Sequence, residues 1–219
     1  MINFALIIQY LPNFLHGALV TVEIGALGCM IGIIIGTILG IAHTSKNKIL
    51  RTFVTLYITV FRGTPMLIQI FMAVFVLPQI GIRLPDFWAA TVAIGLNSAA
   101  YLSQIIRSGI QSVGTGQIEA AKVLGMNRVQ TMRLIILPQA LRVILPSINN
   151  ELITLVKDSS LASTVGVMEL TKEARHVQSV TFDAITVYCC VAFFYLLLTS
   201  MLSFFLHLLE KKLRCHAQN

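Results

Sequence analysis

Residues 119–138 read EAAKVLGMNRVQTMRLIILP, a stretch with an acidic start followed by two alanines, a central glycine and a proline at its end. It lies within a segment, 107–142, that holds five basic residues and one acidic residue. In a chain that crosses a membrane, such an excess of Lys and Arg marks the cytoplasmic side. We therefore expect this stretch to lie in a cytoplasmic loop.

The first part of this stretch has the pattern of a short helix. Glu119 falls in its first turn, where the positive end of the helix dipole favours an acid. Ile118, Ala121 and Leu124 recur at intervals of three and predict a small apolar ridge. Gly125 then ends the helix as a left-handed cap. A helix this short is not stable alone, so we expect it to dock into a partner protein.

The composition predicts an integral membrane protein. Of the 219 residues, 56% are hydrophobic and 11% are charged, and the mean hydropathy is +0.82. Soluble domains carry about 25% charged residues. The net charge of +7 comes from Lys and Arg between long apolar runs, which is typical of membrane flanks rather than of a nucleic-acid site. We expect membrane lipid, and no nucleic acid, as the surroundings.

Charge and hydropathy together predict a single all-α domain over 1–219 with five transmembrane helices. With the amino terminus outside and the carboxyl terminus inside, twelve of the sixteen Lys and Arg residues lie on the inner side. Lys211, Lys212 and Arg214 form the inner anchor of the last span. The predicted spans are about 22–42, 63–82, 87–106, 136–156 and 184–209, with a cytoplasmic loop at 107–135.

The first two spans carry specific expectations. The first contains glycine at every fourth position from Gly28 to Gly40, which predicts a face where another helix packs closely. Met1–Thr21 before it is interpreted as a short amphipathic lead-in. An arginine at the bilayer centre costs about 2.5–3.5 kcal/mol, so we expect Arg62 at the inner boundary of the second span.

The third and fourth spans carry most of the polar residues. Asn97, Ser98, Tyr101 and Gln104 form a polar stripe that predicts either hydrogen bonds between helices or a pathway lining. The fourth span contains Pro138 and Pro146 together with charged residues, so we expect a broken helix that lines the translocation path. The five possible substrate-binding residues are Asn97, Ser98, Tyr101, Glu151 and Asp158.

Catalytic signatures are missing from the sequence. It contains no HExxH and no GxSxG, and the histidines and cysteines have no metal-ligand spacing. It also lacks the GxxxxGK[ST] pattern of a P-loop, so ATP would be bound by another chain. We therefore expect neither an enzyme nor a metal or cofactor site here.

Several motifs together resemble the membrane permease subunits of ABC importers for polar amino acids. The pattern Glu119-Ala120-Ala121, Gly125 and Ile135-x-Leu137-Pro138 is similar at every anchor to the EAA motif of that family. Further similar pieces are Phe61-Arg62-Gly63-Thr64-Pro65, Asn97-Ser98-Ala99-Ala100-Tyr101 and Lys157-Asp158-Ser159-Ser160-Leu161.

The resemblance implies a type I importer fold in the bacterial inner membrane. It implies two permease subunits, identical or related, on two ATPase subunits, fed by an extracytoplasmic amino-acid-binding protein. The ATPase would contact the cytoplasmic coupling helix at Glu119, Ala120, Ala121, Leu124 and Gly125.

The substrate class rests on two acids of the fourth span. Glu151 and Asp158 are two helical turns apart and share a face if the helix continues. Carboxylates at membrane depth are costly and usually functional, so a basic amino acid is predicted. Lys157 could instead pair with one of them. Glutamine or another polar amino acid is the alternative substrate, and a stand-alone secondary transporter is the alternative mechanism.

Overall fold

The computed structural model describes the backbone of residues 2–215, and within this range every side chain except those of Leu209 and 212–215. The described part is helical and contains no β-strand, which confirms the predicted all-α class. The α-helices are α1 (Phe4–His43), α2 (Lys48–Gly63), α3 (Met66–Phe71), α4 (Asp86–Gln111), α5 (Thr115–Val123), α6 (Arg128–Gln130), α7 (Leu137–Asp158), α8 (Leu170–Thr181) and α9 (Ala184–Cys215).

Four helical stretches of the described chain are long and apolar enough to cross a membrane: 4–43, 86–111, 128–165 and 184–208. A bent helix pair, 48–63 with 66–80, raises the number to five if it forms one span. Five is the number predicted. Met1 and 216–219 of the predicted domain, and the side chains of Lys212 and Arg214 in the predicted inner anchor, lie outside the described part.

Helix α1 is longer than the predicted first span, which began near residue 22. It runs without interruption from Phe4 and includes Pro12, so the expectation of a separate lead-in is wrong. Its first half is held by packing, because Phe14 and Ala18 belong to a buried cluster with residues of α8 and α9. At Gly17 an added Cβ would lie 2.8 Å from the Cα of Leu170. Contact with α8 therefore packs the first half of α1 into the bundle as part of one continuous 40-residue helix.

The second half of α1 packs on α4 through its glycines. All four, Gly28, Gly32, Gly36 and Gly40, are buried. A Cβ at Gly36 would lie 2.9 Å from the Cβ of Leu102, and one at Gly40 would lie 2.9 Å from the Cβ of Ile106. The predicted close-packing face is confirmed, and α4 is its partner.

The predicted second span, 63–82, does not coincide with one helix. Helix α2 ends at Gly63, and the chain turns by 103° before α3, which continues as a π-helical turn (Met72–Val76) and a 3-10 turn (Leu77–Ile80). Pro65 has no N–H to continue the helical ladder. The side chain of Gln69 instead donates to the carbonyl oxygens of Phe61 (2.8 Å) and Thr64 (3.1 Å). The bend is therefore closed by side-chain hydrogen bonds.

The predicted fourth span, 136–156, belongs to a helical stretch that begins at residue 128 and reaches residue 165. The expected break at the prolines is wrong. The helix continues past both prolines: a π-helical turn (Thr131–Ile136) directly precedes Pro138 in the first turn of α7, and Pro146 lies inside α7. Ser159–Val165 extends α7 as a 3-10 helix. The predicted loop 107–135 is accordingly mostly helical.

Candidate functional site

A cavity of about 490 Å³ opens where the α2–α3 bend faces α4 and α7. This volume lies within the range of about 300–1,000 Å³ that ligand sites occupy. Its charged lining consists of one cation and two acids. The lining residues are Arg62, Gly63, Thr64, Pro65, Met66, Asn97, Tyr101, Glu151, Thr154 and Asp158.

The bend brings Arg62 into this cavity. Its guanidinium carbon lies 5.0 Å from the centroid of the Tyr101 ring, a cation–π contact. Tyr101 lies in the middle of α4, so Arg62 is near mid-depth of the helix bundle rather than at the inner boundary. Among the described side chains Arg62 makes no ion pair. The expected desolvation cost is avoided because the polar cavity, and not lipid, surrounds the guanidinium group.

Asn97 holds the bend from the opposite side. Its amide nitrogen donates to the carbonyl oxygen of Phe61 (3.1 Å) and to Oε1 of Gln69 (3.0 Å). Gln69 in turn donates to Oγ1 of Thr64 at 2.8 Å. Asn97 lines the cavity, but its two amide hydrogens are both engaged within the protein. Its geometry is that of a positioning residue for Arg62.

Ser98 does not reach the cavity, although it was predicted to bind substrate. It is fully buried, and its hydroxyl donates to Oε1 of Glu151 at 2.9 Å. Consecutive residues of a helix point about 100° apart, so Ser98 faces α7 while Asn97 faces the bend. Ser98 thus acts on the cavity only by orienting Glu151.

Glu151 and Asp158 both line the cavity from α7, as the two-turn spacing predicts. Between them only Glu151 has a side-chain hydrogen bond from the described chain, the one from Ser98. Lys157 is exposed and forms no described ion pair with either acid. Lys157 therefore forms no direct ion pair with either carboxylate in the described part of the chain, although its charge is close enough to act on Asp158.

Sequence reasoning missed Arg62 and Thr154 as cavity residues. Thr154 lies one turn from both Glu151 and Asp158, so its place on the same face follows from the helical period. Arg62 had a signal in its own motif, because Gly63 and Pro65 directly after it mark a turn at apolar depth. That turn is what allows an arginine to leave the lipid-facing surface.

Between α4 and the 128–165 helix, α5 ends as predicted. Gly125 adopts φ +75°, its N–H donates to the carbonyl of Lys122 (3.0 Å), and the N–H of Met126 donates to the carbonyl of Ala121 (3.0 Å). This pair of bonds is a Schellman cap, which satisfies two carbonyls at the helix end.

The predicted apolar ridge on α5 is divided between two surfaces. Ala121 is buried, and Ile118 packs against a cluster of α4 and α7 residues. Leu124 is 78% exposed and Val123 is 88% exposed. The outward face also includes Glu119, Ala120 and Gly125. Ala121 therefore attaches α5 to its own chain, while Val123, which was not predicted, joins the outward face.

Comparison with known proteins agrees with this architecture. The family described as "Binding-protein-dependent transport system inner membrane component" matches residues 32–214. The glutamine transport system permease protein of Escherichia coli (strain K12) is 38% identical over 93% of this chain and 94% of its own length. The arginine transport system permease protein of Bacillus subtilis (strain 168) is 36% identical over 97% of this chain and 98% of its own length.

Solved structures show the same fold. A chain from the crystal structure of an amino acid ABC transporter with histidines is 37% identical, with a TM-score of 0.90 over 97% of this chain and 99% of that one. A chain of the MetNI methionine ABC transporter is 22% identical, with a TM-score of 0.80 over 94% of this chain and 98% of that one. The type I importer fold is thereby confirmed. This chain belongs to the family of binding-protein-dependent transport system inner membrane components, as a non-catalytic permease subunit.

Proposed function

We propose that this chain, the membrane permease subunit of an amino-acid ABC importer, binds basic amino acids in the cavity of Arg62, Glu151 and Asp158. The observation that carries the proposal is the charge of that cavity, one cation and two carboxylates. An arginine, lysine or protonated histidine substrate has one carboxylate and two cationic groups. Each charged group of such a substrate can therefore face a cavity residue of opposite charge.

Each charged group of the substrate has a partner of suitable chemistry. Arg62 can take the α-carboxylate in a bidentate contact, because the guanidinium presents two parallel N–H groups. Asp158 has no described hydrogen bond and is free to accept from an ammonium group. Glu151, held by Ser98, can accept from the cationic side chain. The aromatic face of Tyr101 adds a further site for a cation.

Glutamine is the second candidate, supported by the 38% identity to a glutamine permease. Its zwitterion would use Arg62 and one carboxylate and leave the other carboxylate without a counter-charge. An unpaired carboxylate in a partly desolvated site is costly. Charge complementarity therefore favours a basic substrate within the same importer type.

Transport in this proposal is driven by a separate ATPase. The outward face of α5 (Glu119, Ala120, Val123, Leu124 and Gly125) would dock into a groove of the ATPase, and an amino-acid-binding protein would deliver the substrate from outside. A second permease subunit, identical or related, would complete the path, with amino termini outside and carboxyl termini inside. A stand-alone secondary transporter would instead show ion-driven uptake in liposomes that contain this chain alone.

The test is equilibrium binding of radiolabelled arginine and glutamine to the purified permease–ATPase complex without the binding protein. We expect Glu151→Gln to weaken arginine binding about tenfold, the effect of losing one partly desolvated charge pair, and to change glutamine binding less than about twofold. Asp86→Asn, an exposed acid at the start of α4, is the matched control and should change neither. An equal loss for both amino acids would reject the basic preference.

A further inference from the structure

A second polar cleft, of about 480 Å³, lies on the side of the molecule where α1 ends and α5 begins. Three segments form its walls: the residues directly after α1, one face of α5, and the start of the 128–165 helix. The lining residues are Thr44, Ser45, Lys46, Ile118, Lys122, Met126, Arg128, Thr131, Met132 and Ile136.

The charge of this cleft is of one sign. Lys46, Lys122 and Arg128 line it, and no acidic residue does. Within the described part of the chain none of the three cations forms an ion pair. Three cations brought together from three segments repel one another, and an anion between them would remove that repulsion. Such a site is suited to a phosphate group.

The rest of the lining indicates an amphipathic ligand. Met132 and Ile136 place apolar surface below the three cations, on the helix that continues as α7. Ile118 and Met126 add further apolar surface to the same lining. A free inorganic anion would gain no binding energy from these apolar walls, because it has no apolar surface to bury against them. A lipid places its headgroup among cations and its acyl chains along such side chains.

The cleft is also separate from the docking face of α5. Residues Ile118, Lys122 and Met126 recur every fourth position and face the cleft, whereas Val123 and Leu124 point outward. An acidic side chain of an ATPase that docks on the outward face would approach from the other side of the helix. The cleft lies instead at the carboxyl end of α1, a helix long and apolar enough to cross a membrane. Lys46, Lys48 and Arg51 follow that end of the helix, as basic residues do at the cytoplasmic face of a membrane.

We propose that this cleft binds the phosphate headgroup of an anionic phospholipid of the cytoplasmic leaflet, between Lys46, Lys122 and Arg128. The bound lipid would bridge α5 to the end of α1 and to the start of the 128–165 helix. Helix α5 is attached to its own chain mainly through Ile118 and Ala121, so one further attachment has a large effect on its position. Anionic lipid would thereby set the position of the coupling helix.

The experiment uses the permease–ATPase complex, stripped of lipid in detergent and titrated with phosphatidylglycerol while bound lipid is counted by native mass spectrometry. A variant with Lys46→Gln, Lys122→Gln and Arg128→Gln should bind phosphatidylglycerol about a hundredfold more weakly, since each basic residue contributes about fivefold. The control variant, Lys48→Gln, Arg51→Gln and Arg133→Gln, loses the same charge from exposed positions outside the cleft and should bind like the natural chain.

Four further outcomes test the proposal. Exchange of the cleft cations by the other basic type (Lys46→Arg, Lys122→Arg, Arg128→Lys) should retain lipid binding, which separates charge from misfolding. Equal loss of lipid in the cleft variant and the control variant would overturn the proposal. It would also be overturned if inorganic phosphate competed as strongly as the lipid, or if the cleft variant kept its lipid and lost its ATPase.

Discussion

Glu169, near α8, and the cavity acids Glu151 and Asp158 differ in how many hydrogen bonds their carboxylates accept from the chain. At the end of the bundle where α8 packs on α1, Glu169 is fully buried. It accepts hydrogen bonds from the backbone N–H groups of Thr171 (2.9 Å) and Lys172 (2.8 Å), and from the hydroxyl of Tyr195 (2.8 Å). The hydroxyl of Thr21 donates from α1 at 3.5 Å. Both carboxylate oxygens of Glu169 therefore accept hydrogen bonds from groups of the same chain.

In the cavity the situation is reversed. Glu151 and Asp158 together receive one described side-chain hydrogen bond, from Ser98, and both face open space. The difference teaches how to tell structural from functional acids in one bundle. An acid whose partners all come from its own chain stabilises the fold, whereas an acid with unused acceptors beside a cavity is available to a ligand.

The largest expected difference between the two kinds of acid is in the free energy of unfolding after their removal. Glu169→Ala leaves buried donors without an acceptor, and we expect it to lower the free energy of unfolding by at least about 3 kcal/mol. Glu151→Ala removes an acid that faces the cavity and should cost less than about 1 kcal/mol. Thermal unfolding of both variants in detergent measures the difference. Equal shifts in Tm would contradict the distinction between an acid that stabilises the fold and an acid that is available to a ligand.

A finer test removes one hydroxyl that donates a hydrogen bond to each acid. Tyr195→Phe takes a 2.8 Å donor from Glu169 where no cavity water can replace it, and should cost about 1.5–3 kcal/mol. Ser98→Ala takes a 2.9 Å donor from Glu151, whose carboxylate can be solvated from the cavity, and should cost less than about 1 kcal/mol. The same unfolding assay applies. A larger loss for Ser98→Ala would contradict the proposed difference in solvation.

The smallest expected effect is a pH dependence that belongs to Glu169. Burial raises the pKa of Glu169 above its usual range, and the hydrogen bonds from Thr171, Tyr195 and Lys172 oppose this only in part. The folded state therefore holds the proton more tightly than the unfolded state, in which the pKa is about 4.3. This contribution to stability is fully present below the unfolded pKa and is lost as the pH rises through the raised folded pKa.

Glu169→Gln keeps an acceptor and cannot titrate, so it isolates that contribution. The Tm of the natural chain should fall relative to that of the variant as the pH rises from about 4.3 through the raised pKa of folded Glu169. Glu151→Gln serves as the comparison from the cavity. Parallel Tm curves for the natural chain and Glu169→Gln would refute the assignment.

Much of the fold follows from local patterns in the sequence. Glycine at every fourth position of α1 made close packing on another helix predictable, because helical period and the missing Cβ are properties of the chain itself. The end of α5 at Gly125 was predictable for the same reason, since glycine adopts a left-handed conformation at low cost. The shared face of Glu151 and Asp158 follows from 3.6 residues per turn.

The residues that sequence reasoning misplaced are those whose surroundings come from distant segments. Arg62 was expected at a membrane boundary, and the 103° bend with its Gln69 and Asn97 hydrogen bonds places it in the cavity instead. Ser98 was expected to meet substrate, and the packing of α4 on α7 turns it toward Glu151. Pro138 was expected to break a helix that a π-helical turn keeps continuous.

By itself the sequence determined the membrane class, the bias of positive charge, the family motifs and the short helix that ends at Gly125. These depend on composition and on spacing within one segment. The tertiary structure alone brought Arg62 to Glu151 and Asp158, and Lys46 to Lys122 and Arg128. Each of these groups joins residues far apart in the chain, and only the packing of whole helices brings such residues within reach of one ligand.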